Sequence, residues 1–177
     1  MRTLEMRKDI RKFAGPDHWN DPDMMEVGNG MTVAEDRAHF SLWCIVAAPL
    51  IAGNDLRAMS KETIEILTNK EVIAVDQDSL GVQGFRYNDN GPVEVWVKPL
   101  SKGDWAVCFL NRSDKTVKFE FDWSKHNIYD GQSNTKIDNA LVYQVRDLWK
   151  KKNIGDTKKK IVAEIASHDV MMVRLSK

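Results

Sequence analysis

The chain has 177 residues, 42% of them hydrophobic and 29% charged, which suits one ordinary domain or two small ones and excludes a disordered or membrane-embedded chain. Lys plus Arg and Asp plus Glu number 26 each, so the net charge is zero. This balance gives no electrostatic reason to expect a nucleic acid or an anionic membrane as a partner.

The apolar segments indicate a buried core. The charged start, MRTLEMRKDIRKF, has no apolar stretch of the kind found in signal peptides, so no secretory leader is predicted. The longest apolar run, FSLWCIVAAPLIAG, is shorter than the roughly 18 residues that cross a bilayer and is interrupted by Pro49. Cys44 and Cys108 each lie in an apolar run, which favours two buried free thiols over a disulfide or a metal site.

The stretch HWNDPDMMEVGNG, residues 18–30, concentrates acidic groups. Asp21, Asp23 and Glu26 lie within six positions, beside Trp19, in a segment stiffened by Pro22. Carboxylates in a stiff, aromatic-lined loop suit a site that binds a sugar or a metal. Sugar chemistry usually needs a second carboxylate, and a metal cluster is the weaker interpretation because Asp-x-Asp alone is a weak motif.

The first half of the chain predicts helices and buried strands in the order typical of an α/β fold. Thr32 and Glu35 form a capping box that starts a helix running to about Ala48, before Pro49. The apolar segment PLIAG, which follows at once, predicts a buried strand. Ser60 then caps a second helix, KETIEILTN, expected to turn Ile64 and Leu67 inward.

From about residue 80 the hydrophobic period becomes two. Val93, Val95 and Val97 alternate with other side chains, and the same pattern recurs at 117–121 and 171–175. Turn sequences separate these runs, at 88–92, 101–104 and 111–114. We therefore predict six to eight antiparallel strands arranged as a sandwich, with a domain boundary near residues 75–81.

The first half by itself does not complete a fold. Its first predicted helix is apolar on nearly every side towards its C-terminal end, and such a helix expects neighbours on every side. The roughly 30 residues before it supply at most one strand, so a parallel sheet covered on both faces cannot be completed from them. The first half is interpreted as the end of a larger unit.

Three blocks of the sequence resemble glycoside hydrolase family 27, the α-galactosidases and α-N-acetylgalactosaminidases. They are AGPDHWNDPDMMEVGNG, FSLWCIVAAPLIAGNDLR and ILTNKEVIAVDQDSLGVQG. The later segments EVWVKPL, WAVCFLNRS and VRDLW resemble the C-terminal β domain of that family. The resemblance runs in order from about Lys12 to the C-terminus.

The resemblance implies a fold of α/β plus all-β type: the last portion of a (β/α)8 barrel followed by an antiparallel β-sandwich C-terminal domain. Residues 1–79 would be the barrel fragment and residues 80–177 the sandwich. Within the fragment, residues 12–30 would be barrel strand seven with its loop, and Pro49 to Asp55 strand eight. The reaction implied is retaining hydrolysis of terminal α-linked galactose or N-acetylgalactosamine, without metal or cofactor.

The resemblance also assigns roles to residues. The second aspartate of NDPDM and the methionine after it line the sugar pocket in the family, which points to Asp23 and Met24, with Trp19 nearby. The nucleophile and the acid/base aspartate of the family lie upstream of the matching blocks, and Asp9 lacks their surroundings. No catalytic residue is therefore assigned, and the chain is expected to be incomplete for catalysis on its own.

Structural roles are favoured at several other polar positions. Asp21 is expected to fix the turn around Pro22, His39 to be packed in the core, and Asn54 and Asp55 to hold their own loop. Trp96, Trp105, Trp123 and Trp149 are expected to pack the sandwich or its junction with the barrel.

Three functional hypotheses follow. The chain can be part of a glycosidase, with a carbohydrate substrate and either the remaining barrel portion or a second copy as partner. It can also be a non-catalytic, carbohydrate-associated β-sandwich module, or an inactive truncated product.

Overall fold

The computed structural model describes residues 10–88 and 91–177. Three α-helices are present in this part of the chain: α1 (Val33–Ile45), α2 (Lys61–Leu67) and α3 (Lys70–Asp76). The predicted capping box at the start of α1 is confirmed, because the Thr32 hydroxyl accepts a bond from the Glu35 backbone N–H and the Glu35 carboxylate accepts one from that of Thr32. Ser60 caps α2 as predicted.

The remainder of the described chain is mostly antiparallel β-structure. The strands are β1 (Phe85–Asn88), β2 (Val93–Pro99), β3 (Trp105–Asn111), β4 (Val117–Phe121), β5 (Tyr129–Asp130), β6 (Thr135–Lys136), β7 (Gln144–Asp147), β8 (Lys152–Asp156), β9 (Ile161–Ile165) and β10 (Val170–Ser176). In the described residues they form a six-stranded sheet in the order β1-β2-β3-β10-β7-β8 and two small sheets, β4-β9 and β5-β6. The period-two runs are confirmed as strands, and the ten strands exceed the predicted six to eight.

The six-stranded sheet is covered on both faces, which explains why β2 and β3 are buried along their whole length. Val95, Val107 and Val173 point into a core closed by the smaller strands. The alternate residues Cys108 and Met172 point to the opposite face, where they pack with the helices. The sandwich core and the core at its junction with the helices therefore share one sheet.

The tryptophans pack as predicted. Trp105 and Trp123 are buried inside the sandwich, and Trp96 is buried in the junction core. Trp149 packs against the same junction core and donates its Nε1 hydrogen to the Ser41 hydroxyl at 3.0 Å. Trp96 and Trp149 thus connect the sheet to α1, and none of the four rings belongs to an exposed sugar-binding platform.

Lys98, on the helix-facing side of β2, is completely buried in this junction. Its ammonium donates to the backbone oxygens of Val75 at 2.7 Å, Asp76 at 3.1 Å and Cys44 at 3.4 Å. These carbonyl groups lie at the C-terminal ends of α3 and α1, where a helix leaves backbone acceptors without intrahelical partners, and the Cys44 oxygen also accepts from the Ala47 N–H at 3.4 Å. One lysine from the sheet thus satisfies the ends of two helices.

Two predicted details of the first half are wrong. The segment PLIAG is not a buried strand: it forms a single parallel bridge, between Ala52 and Met25, and Ile51 is 49% exposed. In α2, Ile64 is exposed, whereas Thr63 and Ile66 are buried and Leu67 is partly buried. The face of α2 turned to α1 was misassigned because a seven-residue helix shows too few turns to define its buried side.

Helix α1 ends three residues before the predicted limit. Val46 caps it, and Ala47 takes a left-handed conformation with φ of 52°, which turns the chain towards Pro49. The two cysteines are free and buried. None of the helices in residues 10–88 and 91–177 is long and apolar enough to cross a membrane.

Candidate functional site

The acidic loop is folded by its own side chains. The Asp21 carboxylate accepts a hydrogen bond from the Asp23 backbone N–H at 2.8 Å, so the structural role predicted for Asp21 is confirmed. Asp23 has a φ of 84°, a region in which aspartate is better tolerated than most residues. Its Oδ1 accepts a bond from the Met24 backbone N–H at 2.7 Å.

The loop is fastened to the neighbouring segment by parallel pairing. Met25 donates its N–H to the Ile51 oxygen at 2.8 Å and accepts from the Gly53 N–H at 3.0 Å. A Cβ on Gly53 would lie 2.7 Å from the Met25 oxygen, so glycine is required for this approach. The two segments are joined through α1 and run in the same direction across this single parallel bridge.

Three side chains of α1 form hydrogen bonds to the backbone of the acidic loop. The Asp36 carboxylate accepts from the Gly28 N–H at 3.1 Å, and His39 Nε2 accepts from the Glu26 N–H at 3.2 Å. Trp43 donates its Nε1 hydrogen to the Asp23 oxygen at 3.3 Å. Residues three and four apart lie on one side of a helix, so these three side chains form a continuous support.

The chemistry of His39 fits this supporting role. Its ring stacks on Trp43 with the centroids 3.8 Å apart, and burial lowers the pKa of His39 to about 4. A neutral imidazole keeps one nitrogen as an acceptor, which the bond from the Glu26 N–H requires. The prediction that His39 is packed rather than catalytic agrees with this environment, although no local pattern indicates that its ring binds the loop backbone.

Of the three residues predicted to contact the sugar, Asp23 and Met24 lie together and Trp19 lies apart from them. Asp23 and Met24 are adjacent and exposed, and Met24 is 52% exposed beside the approach of Gly53. Trp19 is 43% exposed, and its ring lies against Gly81, where a Cβ would meet it at 3.3 Å. In the part of the chain that the structure describes, no hydrogen bond joins Trp19 to the other two.

The loop that follows Gly53 is stabilised by an ion pair between two of its own residues. Asp55 forms a two-pronged ion pair with Arg57, with Oδ2 and Nη2 2.8 Å apart, and this pair lowers the pKa of Asp55. The pair is exposed, so it contributes little to stability. It supports the interpretation that this loop is structural.

A carboxylate with a raised pKa is a candidate for a general acid. Asp36 and Asp76 have raised pKa values among the described residues, and the surrounding packing explains both shifts. Burial raises the pKa of Asp36, whose oxygens already hold the Gly28 N–H. Burial also raises the pKa of Asp76 to about 7, next to the buried Lys98. No group of three or more His, Cys, Asp or Glu side chains in residues 10–88 and 91–177 is arranged to hold a metal ion.

Comparison with known proteins decides the family. Residues 2–78 match the family model described as "Alpha galactosidase A", and residues 90–175 match the model described as "Alpha galactosidase C-terminal beta sandwich domain". The chain belongs to the alpha-galactosidase family, glycoside hydrolase family 27. It corresponds to their C-terminal part, the end of the barrel followed by the β-sandwich, which confirms the predicted fold class.

Relatives of this family match along nearly the whole chain. Alpha-galactosidase A of Cellvibrio japonicus is 50% identical over 174 residues, covering 98% of this chain and 43% of the relative. Alpha-galactosidase 2 of Arabidopsis thaliana is 43% identical over 166 residues, covering 93% of the chain and 40% of the relative. The chain thus spans less than half the length of these curated relatives.

Two solved structures have the same fold along nearly the whole of this chain. Alpha-galactosidase I of Mortierella vinacea superposes with a TM-score of 0.82 at 33% identity, over 94% of this chain and 42% of the other. A structure described as a putative alpha-galactosidase/melibiase of Bacteroides fragilis gives a TM-score of 0.85 at 31% identity, over 99% of this chain and 38% of the other.

Proposed function

We propose that this chain supplies the C-terminal part of a retaining α-galactosidase-like glycosidase that cleaves terminal α-linked galactose or N-acetylgalactosamine. In this proposal residues 1–79 complete a (β/α)8 barrel and residues 80–177 form the sandwich. Asp23 and Met24, with Trp19 nearby, line the sugar pocket. The two carboxylates that perform the displacement come from the other barrel strands.

The conformation of Asp23 carries this proposal. Its backbone is fixed by Asp21, by Trp43 and by the pairing that begins at Met25, while its side chain stays exposed. Asp23 forms no ion pair with any residue in 10–88 or 91–177, and its Oδ1 is bonded to the Met24 N–H. The second carboxylate oxygen can therefore accept hydrogen bonds from sugar hydroxyls.

The neighbouring side chains suit a sugar. Met24 offers an apolar, adaptable surface to the C–H face of a pyranose ring, and Trp19 offers an aromatic one. In barrels of this class the active site lies at the C-terminal ends of the strands. The displacement itself needs a carboxylate pair about 5–5.5 Å apart, in which one aspartate attacks the anomeric carbon and the other protonates the leaving oxygen.

Exposed apolar side chains support the need for further barrel elements. Large apolar residues of the first part that are more than 40% exposed are Phe13, Trp19, Met24, Val33, Ile51, Leu56 and Ile64. Covering such a side chain with protein stabilises it by about 1.5–3 kcal/mol. A partner that completes the barrel would cover much of this surface, and a second copy of the chain is the alternative occupant.

The test is hydrolysis of p-nitrophenyl-α-galactoside by the chain mixed with the portion of the Cellvibrio japonicus relative that it does not match. We expect activity from the mixture and none from either part. In the mixture, Asp23→Asn should lower kcat/KM by about 10–100-fold, because hydrogen bonds to a charged group are worth about 1.5–3 kcal/mol.

Asp17→Asn is the matched control, since Asp17 is also exposed and also has a positive φ, of 68°. It should leave kcat/KM within about twofold. Hydrolysis by the chain alone, or equal losses for the two variants, would contradict the proposal.

A further inference from the structure

The segment KKKNIGDTKKK, residues 150–160, carries a concentration of positive charge that the sugar pocket does not use. Its six lysines and one aspartate give +5. Because the whole chain is neutral, the other 166 residues carry −5. The net charge conceals this asymmetry, which produces a strong positive potential around residues 150–160.

The fold places the lysines along an edge. Lys150 and Lys151 lie in the turn from β7 into β8, Lys152 is the first residue of β8, and the last three lysines follow β8 on the way into β9; all six are exposed. β8 is the last strand of the six-stranded sheet. At about 3.3 Å per residue, the two groups stand roughly 20 Å apart along this edge.

Few of these charges are neutralised by the protein. Lys150 pairs with Asp147 at 3.5 Å, and Lys160 pairs with Glu120 at 2.6 Å. Within residues 10–88 and 91–177, Lys152, Lys158 and Lys159 form no ion pair. The carboxylate of Asp156, the acidic residue of the segment, is bonded to the Lys158 backbone N–H at 3.0 Å.

A groove runs beside this edge, between β8 and the outer side of β9. It measures about 500 Å³, and its lining includes four lysines, Lys150, Lys152, Lys159 and Lys160, the apolar side chains of Ile154, Ile161 and Val162, and three carboxylates. Each carboxylate already has a partner: Asp147 pairs with Lys150, Glu164 pairs with Lys118, and Asp156 accepts from the Lys158 N–H. Ile154 and Val162 are exposed, at 38% and 64%. The groove therefore combines apolar side chains with lysines that outnumber its carboxylates by one, and Lys152 and Lys159 are the lysines of the lining that form no ion pair within residues 10–88 and 91–177.

We propose that this basic groove of the sandwich, residues 150–164, binds an acidic polysaccharide of the polyuronate class. The carboxylates of successive sugars would meet the unpaired lysines, and the C–H faces of the rings would lie on Ile154 and Val162. The choice of a glycan over other polyanions rests on the proposed function. Binding would hold the enzyme on an anionic polymer that carries its galactosyl substrates.

Two observations favour a glycan over a nucleic acid. Residues 150–160 contain no arginine and no aromatic residue, whereas nucleic-acid surfaces commonly use arginine forks and aromatic stacking.

The lysines have an alternative, structural role, because lysines on an edge strand prevent strands of other molecules from pairing there. That role predicts no affinity for a polyanion, so binding measurements separate it from the proposal.

The experiment measures binding of the chain to polygalacturonate by titration calorimetry, without hydrolysis, so its outcome does not depend on the proposed activity. Fully methyl-esterified polygalacturonate supplies the same backbone without charge, and a DNA duplex of equal total charge supplies a different polyanion. The test variant is Lys152→Gln/Lys158→Gln/Lys159→Gln. The matched variant replaces three exposed lysines elsewhere, Lys70→Gln/Lys115→Gln/Lys136→Gln, and an unchanged melting temperature verifies the fold of both.

We expect salt-sensitive binding to polygalacturonate, none to the esterified polymer, and weaker binding to DNA. The groove variant should raise Kd about tenfold and reduce the slope of log K against log salt by about 2, or about 0.7 per lysine as for a single-stranded polyanion. The matched variant should change Kd less than threefold. Absence of wild-type binding, equal effects of the two variants, or tighter binding to DNA would each overturn the proposal.

Discussion

Replacing Lys98 by methionine should uncouple the helices from the sandwich. Methionine has a similar length and fills the same buried space, but it cannot donate a hydrogen bond. The carbonyl groups of Val75 and Asp76 would then lose the Lys98 donor, whereas the Cys44 carbonyl keeps its bond from the Ala47 N–H at 3.4 Å.

The magnitude follows from two opposing terms. Two carbonyl groups without partners, those of Val75 and Asp76, cost about 2 kcal/mol each, or about 4 kcal/mol together. Burial lowers the pKa of Lys98 from 10.5 to about 8, and relief of this desolvation offsets about 3 kcal/mol. We therefore expect Lys98→Met to lower the free energy of unfolding by about 1 kcal/mol at pH 7.

The difference between the two proteins should also depend on pH. Because the pKa of Lys98 is lower in the folded state, the unfolded state binds more protons between pH 8 and 10.5. Wild-type stability therefore gains a favourable contribution as pH rises through this window, and Lys98→Met lacks it. Asp76 acts in the same direction, since loss of the neighbouring cation should raise its pKa further in the variant.

Urea unfolding followed by tryptophan fluorescence measures the effect, at pH 7 and again at pH 10. Lys118→Met, an exposed position on β4, is the control and should stay within about 0.5 kcal/mol of the wild type. If Lys98→Met were as stable as the wild type or more stable, the assignment of Lys98 as the donor that joins both helix ends would be refuted.

Three further predictions concern the support of the loop and the core. Because burial lowers the pKa of His39 to about 4, stability should fall as pH drops from 6.5 towards 4, and His39→Gln, which keeps an acceptor for the Glu26 N–H, should lack this component of the pH profile. Thr32→Ala should lower the free energy of unfolding by about 1 kcal/mol, whereas Thr32→Ser, which keeps the capping oxygen, should not. Burial raises the pKa of Cys44 and Cys108, so a thiol reagent should modify neither in the folded chain and both after denaturation; rapid labelling of the folded chain would contradict their placement.

Features set by neighbouring residues could be predicted from the sequence. The cap formed by Thr32 and Glu35 depends on residues three apart, and the strands at 93–99 and 117–121 are defined by their own alternation. The turn around Pro22 could be predicted for the same reason, because Asp21 bonds two residues onward. In each case the deciding interaction lies within a few positions along the chain.

Features that depend on packing between distant parts of the chain could not be predicted from the sequence. The alternation in β2 is typical of a strand with one solvated face, yet Lys98 is buried because the helices cover that face. Ile51 was expected inside because it lies in an apolar run, but a single parallel bridge does not cover it.

The candidate site also has a part that could be predicted from the sequence and a part that could not. The resemblance to the family pointed to Asp23 and Met24, and the structure adds the side chains that hold their loop. Asp36, His39 and Trp43 recur on one side of α1, but this spacing equally suits a packed helix face. Their bonds to the loop backbone depend on how the chain returns over the helix, which local patterns do not encode.

The most direct test of the central claim is to trap the glycosyl-enzyme intermediate. The chain, assembled with the portion of the Cellvibrio japonicus relative that it does not match, would be treated with a fluorinated α-galactosyl inactivator, and the labelled peptide would be identified by mass spectrometry. Our account predicts that the label is on an aspartate of the added portion, with slower labelling when this chain carries Asp23→Asn. A label on any carboxylate of the 177 residues would show that the nucleophile lies in this chain and would contradict the account.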